Sequence, residues 1–165
     1  MEKKDIAELV RNTSAFFASN ATKSYQFRAE QLHKLGAAVY AYEQRISDAL
    51  YKDLHKAPME TYLTEIGMVQ EEVRFLSKRL KKLMKPKRVR TPLSHFLASS
   101  TIYYEPYGTV LIMSPWNYPV NLTLAPLAGA IAAGNCAVIK PSNSTPETSK
   151  VIAELIAETF EPGFV

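Results

Sequence analysis

Two short segments carry the groups able to do chemistry. Ser114-Pro115-Trp116-Asn117-Tyr118-Pro119 follows an apolar run at 109–113, and Pro141-Ser142-Asn143 follows a second run at 136–140 that ends in Lys140. The amide of Asn117 can donate to a developing oxyanion, a dominant kind of transition-state stabilisation. An Asn in such a loop more ordinarily shapes a turn or caps a helix. Lys140 can hydrogen-bond ribose hydroxyls or a phosphate, or stand as a solvated strand end. Cys136 is the only cysteine, in GNCAVIK at the start of the second run. With no paired His or Lys evident, it reads as a small buried side chain and not as a nucleophile.

These groups need elements to position them. Residues 109–113 have the length of one buried strand, and an apolar helical pattern closed by Gly134-Asn135 separates them from the strand at 136–140. Strand, loop, helix and strand make one βαβ unit, with parallel strands and a right-handed crossover. Ligands of such sheets bind outside the carboxyl ends of the strands, which here are 114–117 and 140–143. No G-x-G-x-x-G lies between Met113 and the helix, so the usual pyrophosphate-cradling turn is missing. Upstream, SSTIYYE at 99–105 reads as a strand, and Pro106-Tyr107-Gly108 as a turn. Downstream, Ser144 and Glu147 form a candidate capping box with Pro146 in the first turn. Val151, Ile152, Leu155, Ile156 and Phe160 supply that helix's apolar face. Phe164-Val165 resembles the start of a third strand.

The preceding half of the chain is helical. Apolar residues recur at helical spacing over 5–19, over 24–56 with a break expected near 42–47, and over 59–84 after Pro58. Such stripes are helix-packing faces. Gly36 inside one of them costs about 1 kcal/mol against Ala. Residues 78–90 hold eight Lys and Arg, a run that could attract phosphates. No nucleic-acid-binding signature or stacking aromatic accompanies it, so a solvated helix end and connection is the reading, with no nucleic-acid partner. The fold class is α/β: an amino-terminal helical layer, a strand, and the first βαβα part of a Rossmann-like parallel sheet. The expected organisation is a helical segment at 1–90, a linker and strand at 91–108, and a dinucleotide-binding part at 109–165.

With 165 residues, 47% hydrophobic and 22% charged, the composition is globular. One cysteine excludes an internal disulfide framework and fits a reducing compartment. MEKKDIAEL has no signal-type apolar core, and no stretch is long and apolar enough for a membrane span, so a cytoplasmic protein is expected. No metal-ligand set is expected.

The residues also carry a resemblance. PWNYPVNLTLAPLAGAIAAGNCAVIKPSNSTPETS resembles the amino-terminal part of the NAD(P)-dependent aldehyde dehydrogenases. WNYP-x-NLT, with DLHK at 53–56, is similar to their class 3 and fatty-aldehyde branch. The resemblance extends through essentially the whole chain. It implies that Asn117 is the oxyanion-hole asparagine and Lys140 the lysine holding the adenosine ribose. Met113, Ser114 and Trp116 would line the cofactor, and Tyr118 and Leu122 the aldehyde tunnel. Asn143 departs from a glutamate common in the family. Loss of that charge implies tolerance of NADP as well as NAD.

The family's nucleophilic Cys and general-base Glu would lie beyond Val165, so these residues alone are expected to be inactive. The sheet is expected to be incomplete, and the strand near Ile102 would belong to the oligomerisation sheet of a homodimer. An alternative reading is a non-catalytic remnant or assembly partner that associates through the open sheet.

Overall fold

The computed structural model describes residues 3–165, with side chains from residue 5 onward. Met1 and Glu2, part of the segment read as lacking a signal-type core, lie outside the described residues. Five helical elements come first: α1 (Lys3–Ala18), α2 (Tyr25–Ala41), α3 (Glu43–Leu54), α4 (Pro58–Thr61) and α5 (Gly67–Leu83). Ser24 caps α2 as expected, its Oγ accepting from the Phe27 amide at 3.1 Å. The expected break falls at Tyr42, between α2 and α3. His55, in the left-handed region at φ 55°, ends α3.

The region after Pro58 is less regular than its periodicity suggested. A π-helical turn, Tyr62–Ile66, joins α4 to α5. The turn leaves no space for a side chain at Gly67, whose Cβ would stand 2.9 Å from the Tyr62 carbonyl oxygen. Gly36 has a packing reason as well: a Cβ there would meet Val73 at 3.3 Å, so its absence lets α2 lie close to α5.

The α/β half contains β1 (Lys87–Val89), β2 (Ser100–Ile102), β3 (Thr109–Met113), α6 (Asn121–Ala133), β4 (Cys136–Lys140) and α7 (Pro146–Thr159). β3 and β4 are parallel, with Met113 opposite Lys140 at the carboxyl end. Three local expectations need correction. The strand expected at 99–105 is only Ser100–Ile102, and it pairs antiparallel with β1 inside the basic run that was read as a connection. Backbone pairing between the two segments, invisible to composition, converts part of that run into an arm. Phe164-Val165 forms no strand; residues 162–164 turn, and only the Phe164 carbonyl reaches β4, accepting from the Ala137 amide at 3.0 Å. The Phe164 ring instead enters a cluster with Phe16, Phe27 and Phe160. The capping box at Ser144 and Glu147 is also absent: Thr145 is the N-cap and gives no side-chain bond.

One core joins the two halves. α6 is apolar on all faces, which marks a helix destined for burial. It packs against α2, α5 and the strands, while α3 packs on α7 and α1 on the strands. Leu32, Leu35, Ile46, Ile66, Leu80, Leu124, Leu127, Ile131, Ile152 and Leu155 are all fully buried in this core. Each contributes about 1.5–3 kcal/mol through removal from water. No helix among the described residues is long and apolar enough to cross a membrane.

α6 ends at Gly134, in the left-handed region at φ 85°. Behind it lies the buried Arg28, which donates to the carbonyls of Thr22 (2.8 Å) and Ala132 (3.2 Å). A Cβ on Gly134 would fall 2.3 Å from the guanidinium, whereas one on Gly129, inside the same helix, meets nothing within 4 Å. Gly134→Ala therefore combines backbone strain with displacement of a buried cation. It is expected to lower unfolding free energy by about 2–4 kcal/mol. Gly129→Ala is expected to raise it by about 0.5–1 kcal/mol. Denaturant titration of the two variants checks both signs.

Candidate active site

The βαβ unit brings the two chemical segments side by side. Their strands end in register, and the Ser114 amide donates to the Lys140 carbonyl at 3.2 Å across the junction. Ser114 is buried, its Oγ 2.5 Å from the Thr123 hydroxyl, which in turn bonds the Pro119 carbonyl. Ser114 thus braces the start of the loop from within and leaves only its backbone toward the strand ends. Met113 and Trp116 are 68% and 56% exposed, and Asn117, Tyr118, Leu122, Lys140 and Asn143 are exposed as well. Large apolar side chains left open around a polar strand-end junction are what a ligand or further protein would cover.

Asn117 is held by its main chain. Its carbonyl accepts from Lys56 Nζ at 3.0 Å, while its side-chain amide has no partner among the described residues and remains available as a donor. Lys56 also donates to Glu65 Oε1 at 2.5 Å and lies 4.2 Å from the centre of the Tyr118 ring. Glu65 Oε2 accepts from the amides of Val120 (3.1 Å) and Asn121 (2.8 Å). Those are first-turn donors of α6, which has no cap of its own. Burial pushes the Glu65 carboxyl above its ordinary range, and the Asn121 amide, the Lys56 ammonium and the Val120 amide pull against that shift. Both carboxyl oxygens have donors: the Lys56 ammonium at Oε1 and the two main-chain amides at Oε2.

The other site helix is served in the same way. Asp53 of α3 accepts from the Glu147 amide (3.3 Å), the Thr148 amide (2.7 Å) and the Thr148 hydroxyl (2.8 Å). Helix N-termini ordinarily attract phosphate groups. Here both N-termini beside the strand ends already face carboxylates, so neither is free for a pyrophosphate. The strand ends instead offer Lys140, whose ammonium donates to the Pro141 carbonyl at 3.3 Å and has no other partner among the described residues, so it keeps donors for hydroxyl groups.

A groove of about 990 Å³ runs along the other edge of β4, between α1 and α7. Leu9, Phe16, Ile152 and Ile156 line it, with Lys140 and Asn143 at one end. It contains neither Asn117 nor Trp116. It shares Lys140 and Asn143 with the junction at the strand ends and borders the unpaired sheet edge.

Lys56, Glu65 and Asp53 were not among the sequence-based site residues. DLHK contributed to the resemblance as a motif, without a role. Glu65 sits on the apolar-periodic stretch, where a lone acid gives no signal; only the π-helical turn aims it inward.

A parallel strand–helix–strand unit with polar loops at the carboxyl strand ends places the chain in the α/β class. The chain belongs to the aldehyde dehydrogenase family, which it matches over residues 1–165. It is 49% identical over 154 residues to the 4,4'-diaponeurosporen-aldehyde dehydrogenase of Staphylococcus aureus, covering 93% of this chain and 34% of that protein. It is 41% identical to human aldehyde dehydrogenase family 3 member B1, covering 93% and 33%. The solved structure of the substrate-bound Staphylococcus aureus AldH superposes with a TM-score of 0.95 at 48% identity, covering 96% of this chain and 35% of that one. The NADP+ complex of a Streptococcus pyogenes succinic semialdehyde dehydrogenase, 17% identical over the whole of this chain and 37% of that one, shares the fold with a TM-score of 0.86. The chain thus spans about a third of the length of the relatives it matches.

Cys136 is fully buried, and burial pushes its thiol up to about 11. The folded value lies above the unfolded one, so this group's stabilising contribution is present below about pH 8.5 and is lost as pH rises through about 11. Cys136→Ala is expected to flatten the alkaline fall in stability across that window. Native protein should resist iodoacetamide near pH 8 and alkylate fully in denaturant. Rapid alkylation of the native thiol would show that it is accessible and ionised.

Proposed function

We propose that the chain acts as the amino-terminal portion of an aldehyde dehydrogenase that oxidises an aldehyde to a carboxylic acid with NAD or NADP. The observation that carries this reading is the register-matched junction of Met113 and Lys140, with Asn117 on the loop beside it. Asn117 would donate its side-chain N–H to the oxyanion formed when a thiolate adds to the aldehyde carbonyl, lowering the barrier by holding charge in a prearranged dipole. Tyr118 and Leu122 would face the aldehyde. Lys140 would hold ribose hydroxyls, and Met113, Ser114 and Trp116 would line the cofactor with backbone and ring surface. When bound, the dinucleotide supplies the hydride acceptor.

The donor set fits the ribose end of such a cofactor. It offers no seat to the pyrophosphate, because Glu65 and Asp53 occupy the helix starts. Asn143 carries no charge to oppose a 2′-phosphate, so affinities for NAD and NADP are expected to agree within about tenfold in the assembled enzyme, equivalent to about 1.4 kcal/mol. Calorimetric titration with each cofactor measures this, and a much greater loss for NADP would contradict it.

These 165 residues contain one thiol, buried and far from ionised. The purified chain alone is therefore expected to turn over no aldehyde with either cofactor. NAD(P)H production by it would contradict the assigned roles. The division into residues 1–90, 91–108 and 109–165 follows function in this reading as a supporting layer, an oligomerisation arm and a cofactor-binding part. β1, at the end of the first part, joins the arm through its pairing with β2. A homodimer is supported by the arm around β2, where Leu93, Phe96, Leu97, Tyr103, Tyr104 and Tyr107 are all at least 70% exposed. A cytoplasmic setting is in keeping with a single, buried cysteine that forms no disulfide among the described residues.

One observation favours a second reading, an assembly partner that associates through its sheet. The β4 edge is unpaired beyond the Ala137 to Phe164 bond and is flanked by the apolar groove. A carboxyl-terminal segment of the family domain that binds the chain without restoring turnover would favour this reading over the catalytic one.

A further inference from the structure

We propose that Lys56 and Glu65 are positioning residues for Asn117, fixing the main chain from which its side-chain amide is presented to the carbonyl oxygen. The proposal rests on the oxyanion role given to Asn117 above. Its basis is where the contacts of this ion pair go. Apart from each other, Lys56 and Glu65 touch the Asn117 carbonyl, the Tyr118 ring and the amides of Val120 and Asn121, all within five consecutive residues. A further bond runs from Asn121 Nδ2 to the Thr64 carbonyl, beside Glu65.

An ion pair with side chains 8% and 0% exposed is an expensive way to stabilise a fold, because desolvation offsets much of the attraction. An apolar pair would pack the same space. What the charges add is direction: a carbonyl and two amides are each pinned by a charged partner at fixed distance, and such bonds are shorter and stronger than neutral ones. The backbone is specialised to deliver them. His55 turns left-handed immediately before Lys56, and the π-helical turn places Glu65 opposite it, with Gly67 leaving room for the Tyr62 carbonyl. π-Helical turns of this kind collect at functional sites.

The geometry also explains why the hold must be indirect. Asn117 itself is exposed and its side-chain amide has no partner among the described residues, so no contact there fixes it before a ligand arrives. Its carbonyl is the nearest point at which the protein can set its position. Small displacements of a catalytic group cost as much as 100-fold in rate.

The test is a double-mutant cycle in a complete dehydrogenase, built by placing these residues in the matching third of the Staphylococcus aureus relative. Asn117→Ala is expected to lower kcat about 100- to 1,000-fold. Lys56→Met is expected to lower kcat about 10- to 100-fold with KM for NAD unchanged, and Lys56→Arg to recover part of the loss. In the Asn117→Ala background, Lys56→Met should have no further effect on kcat, because the group it positions is gone. Should Lys56→Met fail to fold, the isosteric Glu65→Gln enters the same cycle with the same expected coupling.

If Asn117→Ala leaves kcat intact, the oxyanion reading is wrong and the positioning claim falls with it. If Asn117→Ala is damaging but Lys56→Met or Glu65→Gln multiplies the loss in full, the pair does not act through Asn117 and only this inference is overturned. A purely structural pair would shift melting temperature without the kcat-against-KM split or the coupling.

Discussion

A carboxylate with no exposure to solvent must be matched by donors, and Glu65 is matched by three: the Lys56 ammonium and the amides of Val120 and Asn121 at the start of α6. That requirement ties together elements distant in sequence. It draws the end of α3, the π-helical turn and the Asn117 loop to one point, and so joins the helical layer to the βαβ unit through directed bonds as well as apolar packing. Because an unmatched buried charge costs several kcal/mol, the loop cannot drift away without a large penalty. The core around α6 supplies most of the burial, and the Glu65 contacts add directed bonds at its edge.

The helical layer has a second consequence for chemistry. Asp53 and Glu65 cap α7 and α6 from another part of the chain, neutralising partial positive charges that would otherwise recruit phosphate. Absence of a glycine-rich turn after β3 belongs with this arrangement, since the backbone there is committed to an acid and not to a pyrophosphate. What the strand ends retain is suited to uncharged oxygen: a free amide on Asn117 and an ammonium on Lys140. In the proposed enzyme these would meet a carbonyl oxygen and ribose hydroxyls, and the remaining chemistry would come from parts of the family domain outside these residues.

Features governed by local pattern were legible in the sequence. The strands at 109–113 and 136–140, their parallel pairing, the cap at Ser24 and the break at Tyr42 follow from periodicity and from single-residue preferences, and the structure contains them. Features governed by tertiary partners were not. The amide donors of α7 were assigned to Ser144 and Glu147 because those lie near in sequence, whereas Asp53, about ninety residues earlier, accepts them. β1 was hidden in a basic run because its strand character comes from pairing with β2. Phe164, apolar and next to Val165, suggested a strand, yet its ring is taken up by an aromatic cluster on α1, α2 and the end of α7. For the site, the residues at the strand ends were visible as polar groups in the right place. Lys56 and Glu65, which hold them, were not: their partners in the loop lie more than fifty residues away, and the π-helical turn that carries Glu65 leaves no trace in a three–four periodicity.

The joining of the helical layer to the βαβ unit depends most directly on the Glu65 contacts at the start of α6, and amide hydrogen exchange reads them at single residues. First-turn amides of a helix normally exchange freely, since they have no partner within the helix. The amides of Val120 and Asn121 are predicted to be protected to the same degree as those in the buried middle of α6. Exchange of these two at the rate of an open loop, with the rest of α6 protected, would contradict it.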